Sequence, residues 1–372
     1  MKVLFTIDSL AQGGTEQSLA ELIGHFNTDV DVTVVYFYDA HTLRETYLKL
    51  PCRLIYVNIS EKYGFYQAVL KLKKLINSER PDVIVGSLYR SLMITRIVSW
   101  QTGIPMVSTF VNERYTKDQK ERFKGIGVSK YYLTWLMDRL TSFIPRKIIS
   151  NSYSIALSNA AALGISNSRI KVVYRGRDTG KMKAWTCPDN KHQFIWMAVG
   201  RLIPQKGYDH LLQAMTLLVN DYPHMQLHII GEGPLRIELQ SRINQLGLSS
   251  VVILSGNIPD AWQQLYRADA FVLPSVSEGF SGALVEALIT GIPLVASDIP
   301  MNLEAISPGR LSYIFPVGNH LALAEQMSRV ITEYEEAKRV GMIARERAIE
   351  YYDIRKVAAE YEAAVRQVAN GK

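Results

Sequence analysis

The chain has little cysteine and no long apolar run. Its 372 residues include only two cysteines, Cys52 and Cys187, which are far apart and lack metal-ligand spacing. The sequence therefore supports neither a disulfide framework nor a zinc site. No stretch approaches the roughly 18 apolar residues that a membrane-spanning helix needs, and the apolar run at residues 2–8 is too short for a signal peptide. We expect a cytoplasmic protein.

Metal-binding and dinucleotide-binding signatures are also missing. The seven histidines are scattered singly, in no metal or triad spacing. Asp29-Val-Asp31 has the Asp-x-Asp form of a metal motif, but it precedes a predicted strand and nothing nearby completes a magnesium site. Gly13-Gly14 follows the first predicted strand without the G-x-G-x-x-G spacing. This glycine pair could approach a phosphate or sugar, or form a helix N-cap turn. No cofactor is expected.

Length and periodicity indicate two α/β domains. The chain is long enough for two cores, and its 48% hydrophobic and 21% charged residues are typical of globular proteins. Predicted strands alternate with helices, which favours parallel sheets; the strands are at residues 2–7, 32–38, 53–57, 83–86, 105–109, 147–150, 171–174, 194–199, 226–230, 251–254, 270–273 and 293–296. Residues 178–193 interrupt the pattern as a linker would. We predict domains at residues 1–180 and 190–350, and a C-terminal helix at 351–372.

The net charge of +7 is unevenly distributed. One segment from Arg114 to Lys147 has nine basic and three acidic residues, a net charge of +6. Its basic residues are Arg114, Lys117, Lys120, Arg122, Lys124, Lys130, Arg139, Arg146 and Lys147. Aromatic residues are interleaved, and Tyr131, Tyr132 and Trp135 would enter the headgroup plane if a helix at 128–143 lay on a membrane. The pattern indicates a surface for anionic lipid or another polyanion. The alternative is a solvated helix pair with ordinary core aromatics.

The most informative motif is Glu278-Gly-Phe-Ser-Gly-Ala-Leu-Val-Glu286. It follows a predicted buried strand and leads into a helix predicted at residues 283–290. A helix N-terminus after a glycine-rich turn has unpaired N–H groups and a dipole that favours negative charge. Carboxylates beside such a turn can accept hydrogen bonds from hydroxyl groups. The motif therefore predicts a ligand with both phosphates and hydroxyls, such as a nucleotide-sugar.

Three other loops follow predicted strands of the second half. Gly200-Arg-Leu-Ile-Pro-Gln-Lys-Gly207 places two cations, Arg201 and Lys206, where both could reach a diphosphate. Gly231-Glu-Gly-Pro234 permits close approach of a ligand, or is a tight turn without one. Ser255-Gly-Asn-Ile258 could contact a nucleobase edge. Each motif is weak alone, but together they favour a ligand at the carboxyl ends of the strands.

Taken in order, these motifs resemble glycosyltransferase family 4, retaining enzymes of the GT-B fold. The resemblance also covers Pro274-Ser275 and Gly291-Ile-Pro-Leu-Val-Ala-Ser297. It implies an α/β protein with two doubly wound parallel-sheet domains facing across a cleft, and C-terminal helices packing back on the first domain. The first domain would bind the acceptor and the second the nucleotide-sugar donor.

The resemblance also implies roles for individual residues. Arg201 and Lys206 would stabilise the donor diphosphate, Glu278 would contact the donor sugar, and Glu286 the ribose. The other donor-binding residues would be Gly14, Gly231, Gly233, Ile258, Gly279, Phe280, Ser281, Gly282, Ala283 and Leu284. Retention in this fold is attributed to front-face attack, so neither carboxylate is a hydrolase-type nucleophile. The two cations and the helix N-terminus would neutralise the leaving group without a metal ion.

One departure concerns the first domain. Many relatives carry a histidine after the strand that matches residues 106–109, whereas this chain has Asn112 and Glu113 nearby and no histidine. Either residue could take part of the histidine's role, or the position has no counterpart.

The basic segment lies where relatives acting on membrane lipids carry membrane-facing helices. This favours a lipid-linked oligosaccharide or a lipopolysaccharide as the acceptor, and peripheral association with the inner face of a membrane. Family frequency favours uridine over guanosine in the donor, and no nucleic acid partner is expected. Two alternatives stay open: a catalytically silent relative acting as a membrane-docked binding partner, and a same-fold epimerase or phosphorylase. The complete set of Arg201, Lys206, Glu278 and Glu286 favours an active transferase.

Overall fold

The computed structural model describes residues 1–60, 64–116, 119–120, 126–188, 193–306 and 312–371. The chain forms two compact units. The first unit comprises Met1–Gly176 and Ile354–Lys372, and the second comprises Arg177–Asp353. The chain therefore passes between the units twice. The first crossing lies at Gly176–Arg177, ahead of the linker predicted at residues 178–193, which belongs to the second unit instead.

The first unit is built on a seven-stranded parallel sheet. Its strands are β1 (Lys2–Ile7), β2 (Asp31–Tyr36), β3 (Cys52–Tyr56), β4 (Val83–Gly86), β5 (Met106–Phe110), β6 (Lys147–Ser150) and β7 (Ile170–Val172). The strand order is β3-β2-β1-β4-β5-β6-β7. Apolar side chains fill the interior positions of β1 and β4, as in sheets covered on both faces. The order reverses between β1 and β4, which is where ligands bind in doubly wound sheets.

Helices connect these strands. They are α1 (Gly14–Ile23), α2 (Arg44–Leu48), α3 (Phe65–Glu79), α4 (Tyr89–Thr102), α5 (Ile126–Thr141) and α6 (Tyr153–Leu163). Left-handed residues end several of them, including Gly103 after α4 and Gly164 after α6. The sequence pattern predicts helices at residues 16–26, 66–77, 92–100 and 152–162, which correspond to α1, α3, α4 and α6, and the short helix α2 is additional.

The second unit contains a six-stranded parallel sheet. Its strands are β8 (Phe194–Val199), β9 (Met225–Ile230), β10 (Val252–Gly256), β11 (Ala270–Leu273), β12 (Leu294–Ser297) and β13 (Tyr313–Phe315), in the order β10-β9-β8-β11-β12-β13. Its helices are α7 (Tyr208–Leu218), α8 (Arg236–Gln245), α9 (Gly282–Thr290), α10 (Pro300–Ile306), α11 (His320–Thr332) and α12 (Tyr334–Tyr352). The prediction missed β13 and α10. This sheet reverses its order between β8 and β11.

The last helix, α13 (Ile354–Ala369), completes the first unit. Its buried residues recur at helical spacing and pack into the core around β1 and β2; they are Val357, Tyr361, Ala364, Val365 and Val368. Of the C-terminal helices predicted to pack on the first domain, α13 does so, whereas α12 belongs to the second unit. Within the described residues, no helix is both long enough and apolar enough to cross a bilayer.

Candidate active site

The site in the second unit is organised by the loops that follow β8 and β11. These strands are hydrogen-bonded neighbours, so their carboxyl ends lie side by side at the reversal of strand order. The two loops are joined, because the Val276 amide donates to the Gln205 carbonyl at 2.8 Å. Gly207 has φ +66°, and a Cβ there would lie 2.1 Å from the Pro274 carbonyl oxygen. Only glycine permits this approach of the two loops.

The loops bring together Lys206 and Glu278, which were predicted to act in one site. Lys206 Nζ donates to Glu278 Oε1, and Ser275 Oγ donates to the same oxygen at 2.7 Å. The side chains of Lys206 and Glu278 are 14% and 11% exposed. A Cβ on Gly200 would lie 2.9 Å from Lys206 Cε, so the glycine leaves room for this lysine. Arg201 lies on the same loop with an exposed side chain. The hydrogen bonds from Lys206 and Ser275 both go to Glu278 Oε1 and neither goes to Oε2.

Buried polar residues support Glu278 from behind. Ser297 Oγ donates to the Ser275 carbonyl at 2.5 Å, and Asn302 Nδ2 donates to the Ser297 carbonyl and hydroxyl, both at 3.1 Å. All three side chains belong to buried residues. This chain of contacts fixes the backbone of Ser275, whose hydroxyl orients Glu278. Ser297 is the last residue of the motif Gly291–Ser297, but the sequence did not indicate that Ser297 or Asn302 supports the site.

Tyr208 fastens the loop that carries Lys206. Its hydroxyl donates to the Gly200 carbonyl at 3.0 Å. Burial, followed by the negative charge of Glu278, raises the pKa of Tyr208. The phenol therefore stays protonated and keeps donating this hydrogen bond over the whole physiological pH range.

The predicted anion site corresponds to the N-terminus of α9. Ser281 is the N-cap, and its hydroxyl accepts from the Leu284 amide at 3.4 Å. The preceding residue, Phe280, is buried and packs edge-on against Tyr352 with 5.6 Å between ring centroids. Gly282 and Ala283 occupy the first positions of the helix, where N–H groups have no intrahelical acceptor. Their amides can therefore bind a phosphate.

Glu286 lies one turn further along α9 and is paired with an arginine that the sequence analysis missed. Arg177 Nε donates to Glu286 Oε1 at 2.7 Å. The two side chains are 7% and 15% exposed. Arg177 is the first residue of the second unit and lies 109 positions from Glu286, so no local pattern could reveal the pair.

The loop after β9 carries two glycines that lie close to the backbone of the loop after β8. A Cβ on Gly231 would lie 2.0 Å from the Gly200 carbonyl oxygen, and one on Gly233 would lie 2.5 Å from the Leu202 carbonyl oxygen. These distances show that both glycines allow the loop after β9 to pack closely against the loop after β8. Ile258 follows β10 and is partly exposed. Contact of these residues with a donor stays a prediction.

The first-unit candidates lie on separate loops. Gly14 begins α1, and a Cβ there would lie 3.2 Å from Arg175 Nη1. Asn112 and Glu113 follow β5, which is not one of the two strands at the reversal point. The Asn112 carbonyl accepts from the Asn159 amide group at 3.0 Å, and its side chain is exposed. Their proposed roles stay predictions.

Asp8 directly follows β1 at the reversal point of the first sheet. Its Oδ1 accepts from the Ser91 amide at 2.7 Å. Burial raises the pKa of Asp8, although the Ser91 hydrogen bonds oppose this shift. The sequence analysis did not select it, because a single aspartate after a strand is a weak signal.

Asp29 and Asp31 lie at the amino end of β2, whereas Asp8 follows the carboxyl end of β1. Asp31 begins β2, and both carboxylate oxygens of Asp29 accept from Arg366 Nη2, at 2.6 and 2.7 Å. This ion pair fixes α13 to the loop before β2 and occupies Asp29. In the described ranges, no group of three or more histidine, cysteine, aspartate or glutamate side chains could hold a metal ion. Metal independence stays a prediction.

The basic segment is described only in part. Lys117, Arg122 and Lys124, together with Asp118, Glu121 and Phe123, lie outside the described residues. The prediction for Tyr131 is wrong, because this residue is buried. Trp135 is partly exposed, and its Nε1 donates to the Ala162 carbonyl at 2.9 Å.

A different set of residues is exposed, which we call the α5 apolar face. It comprises Tyr132, Leu133, Leu136, Met137, Leu140 and Phe143. Leu140 and Phe143 are 62% and 66% exposed. The residues recur at helical spacing and form one stripe along α5 and the turn after it. Contiguous apolar surface of this kind marks an interaction site in soluble proteins.

The inward side of α5 is held by a buried ion cluster. Asp138 accepts from Arg96 Nη1 at 2.6 Å, from Arg114 Nη1 at 3.1 Å and from the Tyr115 hydroxyl at 2.8 Å. Arg96 and Asp138 are fully buried. Burial by itself raises the pKa of Asp138, but the positive charges of Arg114 and Arg96 outweigh it and hold this pKa below its usual value. Asp138 therefore faces the interior of the unit, while the α5 apolar face is exposed together with Lys130 and Arg139.

The fold and the site together define a class of protein. Two doubly wound units, with a lysine–glutamate pair and an open helix N-terminus at the reversal point of the second, are the architecture of GT-B transferases. Comparisons with known families are in agreement. The model described as Glycosyltransferase Family 4 matches residues 12–181, and the one described as Glycosyl transferases group 1 matches residues 186–347. The chain belongs to glycosyltransferase family 4 and is a glycosyltransferase.

Individual relatives are distant but span most of the chain. The capsular polysaccharide biosynthesis glycosyltransferase CapM of Staphylococcus aureus is 21% identical over 297 residues, which are 76% of this chain and 75% of CapM. The MMP α-(1→4)-mannosyltransferase of Mycolicibacterium hassiacum is 26% identical over 284 residues, 72% and 67% of the two chains. The crystal structure of Anabaena HepE with UDP-glucose superposes with a TM-score of 0.80 at 21% identity, over 98% of this chain and 100% of HepE.

Proposed function

We propose that this protein is a retaining, metal-independent glycosyltransferase. It moves a hexosyl or N-acetylhexosaminyl group from a UDP-linked donor to a lipid-linked oligosaccharide or lipopolysaccharide at the inner face of a membrane. The observation that carries the donor assignment is the pairing of Lys206 with Glu278 beside the N-terminus of α9. It places cationic and amide donors for a diphosphate next to a carboxylate for sugar hydroxyls.

The site supports a division of roles. Arg201, Lys206 and the first amides of α9 bind the diphosphate, whose negative charge grows as the bond from the sugar C1 to the phosphate oxygen breaks. Glu278 Oε1 is held by Lys206 and Ser275, which leaves Oε2 to accept from a sugar hydroxyl. Glu286 accepts from the ribose hydroxyls. The acceptor oxygen bonds to C1 on the face that the diphosphate leaves, and its proton passes to a phosphate oxygen.

The nucleotide and a role in polysaccharide biosynthesis are supported by relatives. The HepE structure contains UDP-glucose, and CapM acts in capsular polysaccharide biosynthesis according to its name. Both assignments come to this chain by similarity and are therefore part of the proposal.

The α5 apolar face supports membrane association. Exposed basic residues accompany it: Lys130 and Arg139 lie on the same helix, and Arg146 follows it. Lys120 Nζ lies 5.2 Å from the centroid of the Tyr132 ring. An apolar helix face with basic neighbours suits the headgroup region of an anionic bilayer, where apolar burial and electrostatic attraction add. The acceptor would then be a lipid presented at that surface.

Membrane binding should depend on the α5 apolar face. We expect Leu140→Glu with Phe143→Glu to abolish co-sedimentation with vesicles of about 30% anionic lipid, because each substitution removes apolar burial and adds repulsion. The matched control is Leu217→Glu with Ile237→Glu, which changes two exposed apolar residues of the second unit by the same charge. Equal binding of both variants, or binding indifferent to salt and to anionic lipid, would leave the face without this role.

The activity itself is tested by release of nucleoside diphosphate. A panel of nucleotide-sugars is incubated with the protein, with and without lipid-linked acceptors, in excess chelator. We expect acceptor-dependent release of UDP from a UDP-sugar, unchanged by the chelator, because Arg201 and Lys206 replace a metal ion at the diphosphate. Absence of release with every donor and acceptor would favour a silent binding protein. Release that requires added magnesium or manganese would contradict metal independence.

A further inference from the structure

We infer that Arg177 is a positioning residue for the donor nucleotide: it holds Glu286 in the orientation that binds the ribose. This inference rests on the proposed ribose-binding role of Glu286. Arg177 lies outside the motifs that carry the family resemblance, and it reaches the site through the 2.7 Å hydrogen bond from its Nε to Glu286 Oε1.

The backbone of Arg177 is fixed where the chain passes between the units. Its amide donates to the Tyr352 carbonyl at 2.8 Å, and it forms a parallel β-bridge with Asp353. Thr179 Oγ1 also donates to Asp353 Oδ2. Residues 177 and 353 are the two ends of the second unit, so the entering and leaving segments are tied together there. Arg177 therefore approaches Glu286 from a rigid base.

The consequence for Glu286 follows from its charge and shape. A carboxylate that receives two vicinal hydroxyls needs a defined orientation, and a side chain on a helix surface otherwise samples several rotamers. Bonding at Oε1 restricts this freedom and leaves Oε2 for the ligand. The Arg177 guanidinium also places a positive charge beside the Glu286 carboxylate, whose side chain is only 15% exposed. It further offsets the repulsion between Glu286 and the negative diphosphate.

A purely structural role for Arg177 would look different in solution. The chain offers a matched control, Arg345, a second partly buried arginine bonded to α9. Arg345 donates to the Ile289 carbonyl at the C-terminal end of that helix and to the Met182 carbonyl at 3.1 Å. It ties the same entering segment to the same helix but contacts no residue assigned to the donor. Loss of either arginine removes fold contacts, and only loss of Arg177 disturbs Glu286.

The experiment compares four single variants and one double variant by calorimetric titration with UDP, by thermal unfolding, and by steady-state kinetics. Arg177→Ala should weaken UDP binding about 10- to 100-fold, as expected when a charged hydrogen bond is lost. The donor KM should rise in parallel, with kcat within about twofold, because a ribose contact is alike in ground and transition states. Arg177→Lys should recover part of the affinity. Arg345→Ala should lower Tm and leave UDP affinity unchanged. In Glu286→Gln, adding Arg177→Ala should cost at most about twofold more, because coupled residues are not additive.

The results distinguish failure of the positioning role of Arg177 from failure of the ribose-binding role of Glu286. If Glu286→Gln weakens UDP binding and Arg177→Ala lowers only Tm, the positioning role is wrong and the ribose assignment survives. If Glu286→Gln binds UDP as tightly as the wild type, the ribose assignment fails and the positioning role fails with it. Should Arg177→Ala not fold, Arg177→Gln and Arg177→Lys provide the same comparison with smaller loss of packing.

Discussion

Replacement of Lys206 by alanine should lower turnover by about 10²–10³-fold, the magnitude associated with loss of a fixed donor to developing charge. The expected effect has two parts. The diphosphate loses the ammonium group that neutralises it as it leaves. In addition, Glu278 loses the cation that binds its Oε1 and remains as an uncompensated carboxylate next to an anionic ligand.

Two controls separate these parts. In Lys338→Ala, another lysine–glutamate pair of the second unit is broken, that of Lys338 with Glu335 at 2.6 Å on the exposed surface of α12. Its turnover should stay within about twofold of the wild type, because exposed pairs contribute little. Arg201→Ala should also lower turnover, but without releasing Glu278. Near-normal turnover of Lys206→Ala, with the fold intact by circular dichroism, would remove this residue from the mechanism.

Replacement of Glu278 by glutamine should depress kcat on the order of 10²-fold while changing donor binding much less, because the side chain acts on the sugar whose charge changes during transfer. Glutamine keeps the shape and can still accept from Ser275, so the loop after β11 should persist. Glu286→Gln should show the opposite pattern, with weaker UDP binding and kcat nearly unchanged.

The contrast between the two carboxylates is the test. Steady-state kinetics over a range of donor concentrations, combined with UDP titration, gives kcat, KM and affinity for both variants. If Glu278→Gln raised only KM, or if Glu286→Gln lowered only kcat, the assigned roles would have to be exchanged. The double variant Lys206→Ala with Glu278→Gln should lose less than the product of the two single effects, because the residues are in contact.

Much of the fold was predictable because strand and helix patterns alternate clearly along the sequence. The strands at residues 2–7, 83–86, 147–150, 194–199 and 270–273 have the predicted bounds. Short elements were missed. β13 has three residues, and its strand conformation comes from pairing with β12, where Val295 lies opposite Tyr313. Three residues are too few for a period to be recognised, so tertiary pairing decides the conformation.

α5 shows why the basic segment was only partly predictable. Its sequence is apolar on most of its circumference, so periodicity could not tell which side is buried. The ion cluster around Asp138 decides this: Asp138 is fully buried with Arg96, while Leu140 is 62% exposed. One carboxylate therefore faces inward while apolar residues face outward, and this became apparent only when the partners of Asp138 from α4 and from the segment after β5 were brought together.

The candidate site divides in the same way. Residues in local motifs, such as Lys206, Glu278 and Ser281, could be selected from sequence because strand ends and helix starts place them predictably. Arg177 and Asn302 could not be selected, because their relation to the site depends on contacts between distant segments. Sequence reasoning thus selects residues that belong to local motifs better than residues that hold those motifs in place.

The central claim is that the reversal point of the second sheet binds the nucleotide diphosphate. A crystal structure determined with UDP tests it most directly. We expect the diphosphate to lie within hydrogen-bond distance of Lys206 Nζ and of the Gly282 and Ala283 amides. The ribose hydroxyls should donate hydrogen bonds to Glu286. UDP bound instead at the Gly13-Gly14 loop of the first unit, or bound in the second unit without contact to Lys206 and α9, would contradict it.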